Sequence, residues 1–489
     1  LRTGKEYIEK MQKMRGNLYM DGQKVPRDHE AFIPALEKMA LTFDLAADPD
    51  WEPLLTATSH VTGKKINRFC HIHQNPDDLI KRRELTRKFQ LYAGSCIQRC
   101  GGADTINALS IVGYEVDRKN GTDYNQRFLK YLEDFQDHDL VAPIAMTDTK
   151  GDRSKRPHQQ ANPDVYLRLV EKRSDGIVVR GAKNCISGAG YADELIVSPS
   201  RALSKEESQW AVAFAVPADW EGVKMSCTPK PEGYKRKLMP ALYAQYGGSD
   251  SFVIFDNVFI PWERVFMCGE VEFAPRYGQL AAIFHRLNYT ACKPAMVEIF
   301  IGAAALMAEY NGLEKSEHIR EKLGHLVAVA VLIDAAGIAA SMQAKKTPSG
   351  TWIPGGLPTQ AGRWLAGVSG YKEYEILTDI AGGIAALLPL EGDFFNPEIG
   401  PELHEFIQRR ADVPAEHVHK LLRFIQDAIN GPASGIHLAG SLHGGGSPIM
   451  QVIGLLREYD VEEKKNIVKM LCGIPVPNAK TRQPGPQTF

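Results

Sequence analysis

Tyr166-Leu167-Arg168-Leu169-Val170-Glu171 alternates at period two, Ser174-Asp175-Gly176 is a turn, and Ile177-Val178-Val179-Arg180 resumes strand-forming residues. This is a hairpin signal. It decides the fold class because the sequence to either side has a helical period. Residues 194–197, 210–216 and 252–260 are further strand candidates. Upstream, Asp77-Asp78 can start a helix that runs through Leu79, Leu85, Phe89 and Leu91 towards Cys96. Helices also fit 104–119 and 123–137, with Asn120-Gly121 as the turn between them. Downstream, 296–310, 317–342, 363–388, 414–430 and 448–471 are long and amphipathic, as in a bundle. Residues 348–358 are punctuated by Gly and Pro and read as a connection, and the Pro-rich tail 475–489 reads as extended.

The expected fold is therefore α+β in three parts: a helical domain over 1–141, a β-barrel or sandwich domain over 142–275, and a helical bundle over 276–489. That order matches the acyl-CoA dehydrogenase architecture, which holds FAD between its β domain and its bundle. It is an analogy of fold and does not give a reaction. The chain of 489 residues is too long for one core. A net charge of −1 leaves no global field to recruit nucleic acid or an anionic membrane. Residues 1–17 lack the apolar region of a signal peptide. No apolar run is expected to span a bilayer, since the best candidate, 326–342, is broken by Asp334. Eight cysteines in so long a chain make no disulfide framework and suit a reducing cytoplasm, where thiols serve as ligands.

Two short stretches concentrate chemistry. His285-Arg286-Leu287-Asn288-Tyr289-Thr290-Ala291-Cys292-Lys293 puts His285, Tyr289 and Cys292 at i, i+4 and i+7, on one face if helical. Pro294 removes a backbone donor and crowds the carbonyl of Thr290, so a kink is expected there. Ser95-Cys96-Ile97-Gln98-Arg99-Cys100 puts two thiols at i and i+4. Two facing helices so built would offer three thiolates and one imidazole to one point. Several readings compete. Cys96 and Cys100 are also what a buried helix face looks like. His285 also suits a core histidine bonded to a carbonyl, Tyr289 ordinary packing and Lys293 a solvated charge. The four donors would also serve structural zinc, although zinc ligands more often sit as close pairs on knuckles or loops.

Beyond these stretches the sequence resembles the 4-hydroxybutyryl-CoA dehydratase branch of the 4-hydroxyphenylacetate 3-hydroxylase family over nearly its full length. The matching pieces include Ile66-Asn67-Arg68-Phe69, Cys96-x-Gln98-Arg99-Cys100, Ala145-Met146-Thr147-Asp148-x-Lys150-Gly151-Asp152-Arg153 and Gly176-Ile177-Val178-Val179-Arg180-Gly181-Ala182-Lys183. They continue with Phe255-Asp256-Asn257-Val258-Phe259-Ile260-Pro261, His285-Arg286-x2-Tyr289-x2-Cys292-Lys293, Asp379-Ile380-Ala381-Gly382-Gly383 and His443-Gly444-x-Gly446-Ser447-Pro448. The flavin-loop and strand pieces belong to the wider family, and the four-donor set to the dehydratase branch.

The resemblance implies that Cys96, Cys100, Cys292 and His285 bind a [4Fe–4S] cluster that acts as Lewis acid and positioner more than electron carrier. It implies FAD, lined by Met146, Thr147, Asp152 and Arg153, with Lys183 and Ser187 from the hairpin, and Gly382 and Gly383 reaching the flavin of a neighbouring subunit. The implied reaction removes water from a hydroxyacyl-CoA through a transient flavin-generated radical that acidifies the β-hydrogen, with isomerisation of the double bond of an unsaturated acyl-CoA as a second activity. His285 is then ligand and base, Tyr289 proton donor at the leaving hydroxyl, and Gln98 and Lys293 polar groups at the substrate. A cytoplasmic homotetramer is expected.

Two departures bear on the substrate. Asp250 and Gly440 stand where the dehydratases have glutamates. The first shortens an acid by one methylene and the second deletes one. Two other functions stay open: a two-component flavin monooxygenase hydroxylating a phenol, and a paralogue that keeps the cluster for structure alone.

Overall fold

The computed structural model describes residues 1–229 and 247–476. Part of the Pro-rich tail thus lies outside the described residues. Among the described residues, helices predominate before and after a middle part rich in sheet. Helices Pro76–Ala93, Cys100–Asn120 and Tyr124–Asp137 fill the first third. The hairpin forms as strands Arg168–Lys172 and Gly176–Ser187. Gly176–Ser187 pairs next with Ser249–Pro261, within a six-stranded sheet. A four-stranded sheet, ending in Val265–Cys268, lies beside it in sequence.

The N-terminal part is less purely helical than its periodicity predicts. Leu18–Met20 and Gln23–Val25 extend the six-stranded sheet, the former parallel to Val223–Pro229. Strands of three residues are too short to carry a readable alternation. Thr56–Thr58 and Lys65–Asn67 form a further small ribbon.

Three predicted bundle helices change length. The expected 296–310 helix begins much earlier, as Ala274–Tyr310. The expected 363–388 helix is three helices, Gly356–Val368, Gly370–Ala381 and Ile384–Leu387, because Gly382 takes φ 77° and stops the second. The expected 448–471 helix breaks after Glu458 and restarts at Val461, with Asp460 accepting from the backbone N–H of Glu463 as its cap. Helix Glu317–Met342 forms as expected.

The long helix crosses two hydrophobic cores. Tyr277, Leu280 and Phe284 belong to one shared with the N-terminal helices and both sheets. Met296, Val297 and Phe300 belong to a second, inside the bundle. His285 to Pro294 lie at the seam between them. Ala274–Tyr310 and Glu317–Met342 are long and apolar enough to cross a membrane by length and composition alone, a test that the core helices of globular proteins also pass. The first owes its apolar length to running through these two cores.

Pro294 does not break this helix. The Thr290 carbonyl, left without its i+4 donor, accepts from Arg83 Nη2 at 3.3 Å. Arg83 also donates to Asp334 Oδ1 at 2.7 Å and to Thr290 Oγ1 at 3.3 Å. Gly337 makes room, as a Cβ there would stand 2.1 Å from Thr290 Oγ1.

Candidate functional site

His285, Tyr289 and Cys292 share one face of the unbroken helix Ala274–Tyr310. The His285 and Tyr289 rings meet edge-on, with centroids 6.2 Å apart. His285 Nδ1 lies 2.9 Å from Asp104 Oδ2, and Asp104 Oδ1 accepts from Asn288 Nδ2 at 2.6 Å. With Nδ1–H donating to this carboxylate, the lone pair of Nε2 is the one left for a ligand.

The other two thiols are not presented by a helix face, contrary to the expected i, i+4 geometry. Helix Pro76–Ala93 ends at Gly94, in the left-handed region at φ 65°, and Cys100 opens the next helix. Cys96 lies in the linker between them, where Gln98 also takes a positive φ of 56°. The Gln98 side chain accepts from the Tyr191 hydroxyl, which fixes the linker against the sheet.

The linker nonetheless brings the sulfurs together. A hydrogen bond from the Cys100 thiol lowers Cys96 to about 6 against the pull of burial, with help from the Lys38 ammonium and His285. Cys100 is raised correspondingly. Burial pushes Cys292 up to about 12, and the nearby Cys96 adds to it. Cys96 thus lies within electrostatic reach of Cys100, Cys292 and His285.

Among the described residues, no three His, Cys, Asp or Glu side chains are grouped tightly enough to hold a single metal ion. A cubane cluster makes a different demand, because each donor binds its own iron at its own corner. Three thiols, one already shifted towards thiolate, and an imidazole with Nδ1 anchored fit that demand chemically.

The surroundings are cationic and polar. Lys38 is buried, donates to the Gly247 carbonyl at 2.8 Å, and is lowered to about 8 by burial. His437, on helix Pro432–His443, is lowered to about 4 by burial, with Lys293 and Lys38 adding to it. Lys293 is also buried and donates to Glu373. Arg363 stacks over the Tyr289 ring at 4.2 Å and donates to the carbonyls of Gly440 and Gly444 at 3.1 and 2.8 Å. Burial raises the Tyr289 phenol. Asp104, Lys38, Arg363, Glu373 and His437 escape sequence reasoning, since each is an unremarkable polar residue until the fold brings it here.

The residues predicted to line a flavin lie along the neighbouring sheets. Met146 and Thr147 follow strand Ile144–Ala145, and Asp152 and Arg153 lie exposed in the next loop. Lys183 is buried and donates to Asp148 Oδ1 at 2.6 Å, the Ser198 carbonyl at 3.0 Å and the Met146 carbonyl at 3.1 Å. Its three N–H donors thereby tie the Met146–Asp148 segment to Ser198. Ser187 is exposed, pairs with Asp250 across the sheet and donates to its carboxylate. Gly382 and Gly383 lie in the bundle, and among the described residues no atom beyond their own chain neighbours comes within 4 Å of where a Cβ would be.

Helices flank a six-stranded and a four-stranded sheet, and this arrangement recurs in known proteins. The chain belongs to the 4-hydroxyphenylacetate 3-hydroxylase family: residues 3–267 match its N-terminal part and 277–473 its C-terminal part. Among its relatives is the 4-hydroxybutyryl-CoA dehydratase/vinylacetyl-CoA-Δ-isomerase of Clostridium aminobutyricum, 36% identical over 97% of this chain and 100% of that protein. The 4-hydroxyphenylacetate 3-monooxygenase oxygenase component of Thermus thermophilus is 31% identical over 85% of this chain and 86% of that one. Among solved structures, an oxygen-tolerant archaeal 4-hydroxybutyryl-CoA dehydratase from N. maritimus superposes with TM-score 0.93 and 36% identity, over 99% of this chain and 97% of that one. An oxygenase component complexed with FAD and 4-hydroxyphenylacetate superposes at 0.88 with 27% identity, over 97% and 98%.

Proposed function

We propose that this protein is an FAD- and [4Fe–4S]-dependent dehydratase, with double-bond isomerase activity, acting on 4-hydroxybutyryl-CoA or a close hydroxyacyl-CoA. What supports the reading is that Cys96 interacts electrostatically with Cys100, Cys292 and His285 in a chain 36% identical to the clostridial dehydratase/isomerase. Met146, Thr147, Asp152, Arg153 and Ser187 would border the flavin. Lys183 would act through the segment it holds, and Gly382 and Gly383 would approach a neighbouring subunit's flavin. When bound, the flavin supplies reversible one-electron chemistry and the cluster a Lewis-acidic iron.

The chain's own groups then divide the proton work. The Tyr289 phenol holds its proton, since burial keeps it neutral, and gives it to the departing hydroxyl. The imidazole of His285 has one nitrogen, Nε2, to offer, because Nδ1 is held by Asp104. That nitrogen serves as ligand or takes the substrate's α-proton, one role at a time. Lys293 and Gln98 are polar neighbours of the acyl chain, and Asp250, bound to Ser187, is the remaining acid on the sheet side.

We also propose the three-domain division at 1–141, 142–275 and 276–489 on the acyl-CoA dehydrogenase plan, and a cytoplasmic homotetramer formed as a dimer of dimers. Exposed Val331, Leu332 and Met342 on helix Glu317–Met342 are apolar surface that subunit contact would cover. The test is anaerobic turnover of 4-hydroxybutyryl-CoA by the wild type and by His285→Ala that still folds and binds FAD. Water elimination by the first and its loss in the second are expected. Unchanged turnover in the variant, or oxygen uptake with reduced FAD and a phenol in protein without iron, would overturn the reading.

A further inference from the structure

Asn288, on helix Ala274–Tyr310, is buried and joins three helices. Arg82, on helix Pro76–Ala93, donates from Nε to Asn288 Oδ1 at 3.2 Å. Asn288 Nδ2 donates to Asp104 Oδ1 at 2.6 Å, in the first turns of helix Cys100–Asn120. Asp104 Oδ2 stands 2.9 Å from His285 Nδ1. Thr86 Oγ1 also lies 3.4 Å from Asn288 Oδ1, but its single proton has a nearer acceptor, the Arg82 carbonyl, at 2.9 Å. The Arg82 guanidinium therefore holds the amide.

Each link in this series has one direction. A guanidinium only donates, so the amide atom facing Arg82 is the oxygen. The amide NH2 is thereby turned to Asp104, and a carboxylate only accepts. With Oδ1 held by Asn288, Oδ2 is aimed at His285 and accepts from it, which puts the imidazole proton on Nδ1. Arg82 is costly to bury. It is 1% exposed, lies over the Phe69 ring at 4.4 Å, and among the described residues its Nη1 and Nη2 have no hydrogen-bond partner. Net stability is a poor explanation for a cation so placed, since an apolar side chain would avoid its desolvation. An apolar side chain could not aim the Asn288 amide.

We propose that Arg82 and Asn288 are positioning residues for His285. Together they fix the Asp104 carboxylate, which keeps the imidazole proton on Nδ1 and presents Nε2 as the iron ligand. This rests on the reading of His285 as a cluster ligand. Arg82→Met keeps the side chain's length and removes its donor and charge. Arg82→Lys keeps a donor and the charge.

The test uses holoenzyme prepared without oxygen, with ferrozine as the probe of iron release. Arg82→Met is expected to release iron about 10-fold faster than the wild type, and Arg82→Lys to stay within about 3-fold of it. In Mössbauer spectra of Arg82→Met, the signal of one iron of the cluster should change and those of the thiolate-bound irons should not. FAD content and melting temperature should match the wild type. In an Asp104→Ala background Arg82→Met should add nothing, because both act through one carboxylate. Wild-type release from Arg82→Met, a change shared by all the irons, a loss that tracks a lower melting temperature, or effects that multiply with Asp104→Ala would overturn the inference. Wild-type release and an unchanged Mössbauer spectrum in His285→Ala would instead remove the reading beneath it. Should Arg82→Met fail to fold, Asn288→Leu breaks the series one link further on and carries the same comparison.

Discussion

The two halves of the proposed donor set are built in opposite ways. Cys292 and His285 sit on a regular helix 37 residues long, where spacing alone puts them on one face. Cys96 sits in an irregular linker between Gly94, at φ 65°, and Cys100, with Gln98 held at φ 56° by its place against Tyr191. The helical half is positioned by backbone period and then corrected by one side chain, Arg83, at the proline. The linker half is positioned by tertiary contacts from the start. A site assembled this way depends on the seam between two cores staying closed.

The sharpest way to break the comparison is to remove one donor from each half. Cys292→Ala and Cys96→Ala should both abolish iron binding and lower turnover by more than about 100-fold. If only the helical substitution does so, the linker thiol is a packing residue and the symmetry of the two halves is lost. Iron analysis of the two purified variants decides it.

Asp104→Ala comes next. It releases His285 Nδ1 and leaves the ring free to turn, and the expected loss in iron affinity or activity is about 10- to 100-fold. Iron affinity equal to wild type would mean that the helix alone orients the imidazole. Arg83→Ala tests the correction at Pro294. It orphans the Thr290 carbonyl and leaves Asp334 without its partner, at a cost of about 2 kcal/mol read by urea unfolding. The smallest effect belongs to Gly94→Ala, which forces a Cβ into the left-handed region for about 1 kcal/mol. No change there would mean that the linker relaxes without strain.

Much of this was legible in the residues. The hairpin, the Glu317–Met342 helix and the face shared by His285, Tyr289 and Cys292 all follow from period and turn chemistry. The helix expected through Cys96 failed because Gly94 and Gln98 carry no local signal strong enough to override a helical period on either side. The two strands near Leu18 were too short to read. Asp104 and Glu373 were invisible for another reason: each acquires its partner from a segment at least 80 residues away in sequence. Long-range pairing of that kind leaves no trace in periodicity.

The central claim is that two remote segments grip one iron–sulfur core beside a flavin. Iron, acid-labile sulfide and FAD measured in protein isolated without exposure to oxygen test it most directly. About four irons and four sulfides with one FAD per chain are expected, and less than about one iron per chain in protein that retains its FAD would contradict the account.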